Sequence, residues 1–172
     1  MKKIPFVIVA ILCFSGCKND DAEPEFVFGA KIDGQVWTSN VANSENSTVA
    51  ATIAQNIVVV VGVQDVDKTG TALGLFFPED IKLNEDVDFN PLNKVILAYT
   101  ISSTEGYVVD PAMGGSGRLR VTRLDKENKV VEGSFTGEAI HSQNGSKIKI
   151  QNGIFRSKIY DTPVKTTPPG KR

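Results

Sequence analysis

No stretch of this chain longer than a couple of turns carries a 3.6-residue apolar period. Segment after segment instead alternates apolar and polar side chains, with turn-forming residues between them. The most strand-like run is Ile57-Val58-Val59-Val60-Val61-Gly62-Val63. Its β-branched residues on both faces predict a central strand, covered on both sides over part of its length. Many short strands at close spacing mean an all-β, antiparallel domain. A packed β-sandwich is the expected architecture, with a meander closing into a calycin-like barrel as the alternative.

Local signals set the register. Phe28, Ala30 and Ile32 alternate with Gly29 and Lys31 ahead of Asp33-Gly34, the pair that suits a two-residue type I′ turn. That turn opposes Ile32 to Gln35 and Ala30 to Trp37, which puts Trp37 on the apolar face. Gln55-Asn56 marks a second tight turn, between Thr48–Ala54 and Ile57–Gln64. Strands are expected at Thr71–Phe77 and Val95–Ser102, with Ile81-Lys82-Leu83 as a short edge piece. Residues 84–93 read as an acidic loop, and another loop runs from Ser102 through Gly106 to Gly117. Leu119 and Val121, then Val131, Phe135 and Ala139, line one face of a hairpin. Its outer face offers Arg118 and Arg120 for pairing with Glu132 and Glu138. Ile148 and Ile150 face inward at even positions, Phe155 and Ile159 at odd ones, so a β-bulge is expected at Asn152-Gly153.

The chain ends have a different character. Lys2 and Lys3 precede an apolar run from Ile4 to Phe14, too short for a transmembrane helix of about 20 residues. Phe14-Ser15-Gly16-Cys17 resembles the lipobox of bacterial lipoproteins, in which the cysteine thiol takes a diacylglycerol and the preceding segment is removed. The resemblance implies a signal peptide at 1–16, a lipidated Cys17 and a polar tether over 17–25. Two or three acyl chains hold a protein at a membrane, where one holds it only marginally. Cys17-Lys18-Asn19-Asp20-Asp21 is similar to the surface-export signal of Bacteroidetes-type lipoproteins, which implies an outer-membrane location facing the cell surface. A single domain is expected over 26–160 and a disordered, proline-bearing tail over 161–172.

Chemistry is sparse. Without Lys2 and Lys3, 17 basic side chains face 20 acidic ones, a formal −3 with no basic block, which speaks against nucleic acid as a partner. Cys13 lies in the removed segment and Cys17 carries lipid, so no disulfide framework and no thiolate metal site are expected. The one histidine, His141, sits at a strand end on the inward parity with no Gly-x-Ser-x-Gly elbow to serve, and reads as structural. Acids gather in loops: Asp65 and Asp67, Glu79 and Asp80, then Glu85, Asp86 and Asp88. Asp86 and Asp88 are candidates for Ca²⁺, although the segment lacks the twelve-residue calcium-loop pattern. Trp37, Tyr99, Tyr107 and Tyr160 are candidate ligand-binding aromatics, with the apolar face of Trp37 favouring a core role.

Several short motifs carry a wider resemblance. They are Ile32-Asp33-Gly34 with Trp37, Gly117-Arg118-Leu119-Arg120-Val121-Thr122, Glu132-Gly133-Ser134-Phe135-Thr136-Gly137-Glu138-Ala139, and Asn152-Gly153-Ile154-Phe155 leading to Ile159 and Tyr160. In order and spacing the chain resembles a family of Bacteroidetes-type lipoproteins whose domain has no established function. The resemblance implies an all-β envelope domain and brings no catalytic residue. The functional expectation is a non-enzymatic binding module for a glycan, a small ligand or a protein partner, without a cofactor beyond the covalent lipid. A small hydrolase using loop carboxylates and a structural subunit of a surface complex are the alternatives. A sugar binder calls for exposed aromatics in a row, a hydrolase for converging carboxylates, and a subunit for a contiguous apolar patch.

Overall fold

The computed structural model describes residues 25–42, 47–65 and 70–161. Cys17, Asp67 and the tail beyond Asp161 lie outside them. The strands are β1 (Val27–Ile32), β2 (Gln35–Thr38), β3 (Val49–Ala54), β4 (Ile57–Gln64), β5 (Thr71–Pro78), β6 (Asp86–Asp88), β7 (Ile96–Thr100), β8 (Gly106–Val108), β9 (Ser116–Asp125), β10 (Val130–His141) and β11 (Lys147–Tyr160). Among the described residues the only helical pieces are two single 3-10 turns, at Pro91–Asn93 and Pro111–Met113. The fold is all-β, as the alternation predicts.

The strands form one continuous ladder that folds into two layers. The front layer runs β6-β9-β10-β11-β1-β2 and the back layer β3-β4-β5-β7-β8. Two corners join them. The end of β10 pairs with β8 through Ile140 and His141, and the end of β11 pairs with β3 through Ile159 and Tyr160. With the β10–β11 ladder these corners close a ring through β11-β3-β4-β5-β7-β8-β10, so the layered arrangement shares the closure of the barrel alternative. Every strand pairing is antiparallel except β11 with β3, which runs parallel.

Tight turns set the register. Asp33 and Gly34 both adopt positive φ, at 47° and 82°, and the resulting hairpin opposes Ala30 to Trp37. Gln55 and Asn56 do the same at 51° and 61°, which aligns Ala54 with Ile57. The inward faces meet between the layers. Phe28, Phe135 and Phe155 from the front pack with Val58, Leu73, Leu75, Phe77 and Leu97 from the back. Phe77 and Phe155 bridge the layers, with ring centroids 6.4 Å apart. Burial of such large apolar side chains, worth about 1.5–3 kcal/mol each, is the main force closing the sandwich.

Three expectations need correction. The acidic segment 84–93 contains β6, an edge strand that pairs with β9 and is followed by the buried Phe89. The loop after Ser102 contains β8, whereas 81–83 forms no strand. The run in β4 is central, but only Val58, Val60 and Gly62 are fully buried; Val59, Val61 and Val63 on its outer side are partly buried. β-branched residues on both sides of this strand therefore mark a fully covered inner face and a partly covered apolar outer one.

Candidate binding groove on the front layer

The bulge expected from the parity change lies where β11 crosses the middle of the front layer. Against β1 the register slips between the pairs Ile154–Gly29 and Gln151–Lys31, and against β10 between Gly153–Phe135 and Ile150–Gly137. Asn152 absorbs the extra residue at φ 51°, a conformation asparagine tolerates better than most. Gly153 follows because nothing larger fits: a Cβ there would stand 2.5 Å from Cε2 of Phe135. The bulge directs Asn152 and Ile154 outward, and Ile154 is 51% exposed.

Facing the bulge across β10 and β9, alternation aims Ser134, Thr136, Arg118 and Arg120 at solvent. Together with Asp86 of β6 these side chains line a groove of ≈ 400 Å³. The arginines sit directly opposite the β6 acids in register, Arg120 with Asp86 and Arg118 with Asp88. Arg120 Nη1 donates to Asp86 Oδ1 at 3.3 Å, and its Nη2 donates to the Asn84 carbonyl. Arg118 Nε stands 3.4 Å from Asp88 Oδ1. The wall is therefore a row of paired charges with guanidinium edges still open to solvent. Among the described residues the side chains of Ser134, Thr136 and Asn152 make no hydrogen bond within the protein. They are donors and acceptors that water or a ligand must satisfy.

This arrangement revises two readings. Arg118 and Arg120 pair with β6, not with Glu132 and Glu138. A register slip between β9 and β10 at Glu132 brings Arg123 opposite Glu132 instead, and Arg156 binds Glu132 from β11. Glu138 pairs with Lys147 at 2.7 Å. Asp86 and Asp88, the calcium candidates, each face a guanidinium, so a cation there would have to displace Arg118 and Arg120. No group of three or more metal-ligating side chains of the His, Cys, Asp or Glu type occurs among the described residues.

The aromatic candidates do not form a platform. Trp37 is 4% exposed, edge-on to Phe28 at 6.0 Å, and its Nε1 donates to Thr71 Oγ1 at 2.9 Å. It is a core residue and is withdrawn as a ligand contact. Tyr99 and Tyr107 oppose each other on the inward parity, stacked at 6.3 Å, and Tyr107 meets the ring of His141 edge-on at 4.9 Å. Partial burial pushes the Tyr99 hydroxyl above its ordinary pKa. Nδ1 of the buried His141 accepts from the backbone of Gln143 and Asn144, which ties down the turn after β10. Tyr160 borders a separate cavity of ≈ 460 Å³ with Lys126, Lys129 and Asp161, and Lys158 Nζ lies 5.6 Å from its ring centroid.

Among the described residues, several loop acids engage separate partners. Glu79 pairs with Lys126, Glu85 with Lys82, and Asp65 binds the side chain of Asn40. The groove residues that sequence reasoning passed over were Ser134, Thr136, Asn152 and Ile154. The only signal for them was their outward parity beside an expected bulge. Compared with known proteins, the chain matches no family model, no curated protein and no solved structure.

Proposed function

We propose that the chain is a non-catalytic binding domain held at a bacterial cell envelope by lipid on Cys17, with its ligand site in the front-layer groove. The observation that carries this reading is the groove itself. It sets unpaired hydroxyls and an amide beside guanidinium edges, with Asp86 as an acceptor and Ile154 as a single apolar contact. Alternating donors and acceptors around a small apolar contact suit a polyhydroxylated ligand, a short carbohydrate segment above all. The lipobox resemblance at Phe14-Ser15-Gly16-Cys17 supports the anchor, and the export-signal resemblance of Cys17-Lys18-Asn19-Asp20-Asp21 supports the outward-facing outer-membrane location. The hydrolase reading finds less support, because Glu79, Glu85, Asp86 and Asp88 each already pair with a cation.

Titration calorimetry with a panel of oligosaccharides tests the site. Arg120→Ala and Asn152→Ala should each weaken binding about tenfold or more, the effect of losing one good hydrogen bond at about 1.4 kcal/mol. Undiminished affinity in both variants would remove the groove as the site. Metabolic labelling with a fatty-acid analogue should mark the wild type and not Cys17→Ser; equal labelling would remove the anchor. A turnover lost on changing one loop carboxylate would favour the hydrolase.

A further inference from the structure

The front-layer groove does not end at Thr136. The same residue borders a second cavity of ≈ 270 Å³, whose polar lining also includes Ser116, Glu138, Lys149 and Gln151. The bulge explains the pair of cavities. Between the rungs Gly153–Phe135 and Ile150–Gly137, β11 sets both Gln151 and Asn152 against the single residue Thr136. Both amides are exposed, Asn152 at the first cavity and Gln151 at the second. The floor of the second is backbone where Gly117 opposes Gly137 across β9 and β10. From Ser134 at the first to Glu138 at the second, the cavities follow β10. That run is about 13 Å on a strand rising about 3.3 Å per residue, the span of a short oligomer and more than one sugar ring needs.

The two cavities differ in charge. At the first, Arg118 and Arg120 are matched by Asp86 and Asp88. At the second, Lys147 binds Glu138 at 2.7 Å, and Asp33 Oδ1 accepts from the backbone N–H of Lys149 at 2.7 Å. Lys31 stands opposite Gln151 in register, on the same outward face as Lys149. Both Lys31 and Lys149 are exposed, and neither forms an ion pair among the described residues. Lys31, Lys147 and Lys149 set against Glu138 and Asp33 leave this end with an excess of positive charge, which draws an anion. An acidic peptide fits less well. Extended peptides add to free strand edges, whereas here β9, β10 and β11 are each paired on both sides.

We propose that the second cavity is a subsite for an acidic unit, so that the ligand is an oligosaccharide bearing a carboxylate or sulfate next to the unit held in the first cavity. The inference rests on the groove being the binding site, and it adds the length and the charge of what binds there.

Titration calorimetry of the full chain with matched probes tests the subsite. Galacturonate, alginate and hyaluronate oligomers are each compared with their carboxyl methyl esters, and chondroitin sulfate oligomers with their desulfated form. At least one probe should bind about threefold or more tighter than its charge-reduced match at low salt, an advantage that shrinks as salt screens the lysines. A gain confined to the ester pairs assigns a uronate, and one confined to the desulfated pair assigns a sulfated sugar. Lys31→Gln combined with Lys149→Gln should abolish the advantage and leave the affinity of the charge-reduced match unchanged. Arg120→Ala should weaken both members of a pair alike. Equal affinity within every pair, or an advantage that survives the two lysine substitutions, overturns the subsite, while a continued loss in Arg120→Ala keeps the groove. Affinity indifferent to both Arg120→Ala and Asn152→Ala removes the groove and the subsite together. No binding by any probe overturns the subsite, and so does tighter binding of hexaglutamate than of every sugar, which would assign the site to an acidic peptide.

Discussion

Trp37 shows how a single side chain decides between two functions. Its indole is enclosed by the Phe28 ring and by the hairpin that Asp33-Gly34 closes, and its one polar atom is satisfied by Thr71. A tryptophan so placed contributes stability and cannot reach a sugar. Trp37→Ala should cost about 3–5 kcal/mol, read as the midpoint shift in urea. A melt close to that of the wild type would mean that the ring contributes little to the core. The same reading extends to His141, whose Nδ1 accepts two backbone donors and whose ring abuts Tyr107. Both residues are the kind that attract functional interpretation when seen without their neighbours.

Hairpin ends carry the pH response. At the β9–β10 turn, Asp125 accepts from Arg123 Nη2 at 2.7 Å and from both the backbone and the amide of Asn128 at 2.8 Å. These bonds hold its carboxyl well below the usual carboxylate range. Across β10 and β11, the ammonium of Lys147 lowers Glu138 in the same direction. A depressed folded-state pKa stabilises the fold fully above the unfolded value, about 3.9–4.3, and that contribution is lost as pH falls through the folded values. The melting temperature should therefore hold between pH 7 and about 5 and drop below about 4. Asp125→Asn should flatten part of that acid limb, and an unchanged acid limb would discount the turn.

Legibility in the sequence followed the length of each element. β4 announces itself by a continuous β-branched run and β9, β10 and β11 by long alternation, and the parity change at Asn152-Gly153 located the bulge. β6 and β8 have three residues each, too few for alternation to show, and they are specified by the strands they pair with. The groove was half legible for the same reason. Its positions could be placed on an outward face, but the Arg118–Asp88 and Arg120–Asp86 pairing depends on β6, which tertiary contact alone creates.

For the whole molecule, the consequential pairing is β1 with β11, which brings Val27 beside Arg156 from opposite ends of the domain. The front layer lacks its central strand until the last part of the chain arrives. The ladders β1–β11, β3–β11, β6–β9 and β8–β10 likewise join strands far apart in sequence. Closing such distant contacts is slow, so refolding should occur on the order of milliseconds to seconds. Stopped-flow fluorescence of Trp37, the one tryptophan, reports it directly. A microsecond phase accounting for all of the signal would contradict this topology.

The antiparallel pairing of β1 with β11 also has a mechanical meaning. The start of β1 and the end of β11 leave the domain at the same corner. A load applied between the two ends of the chain would meet the links of Ile159 to β3 and to Lys129 first, then the Val27–Arg156 pair, and so on inward. The bonds would open one after another, like a zipper, and no two neighbouring rungs would share the force. The seam between its two ends is thus the weakest direction in which to pull this domain.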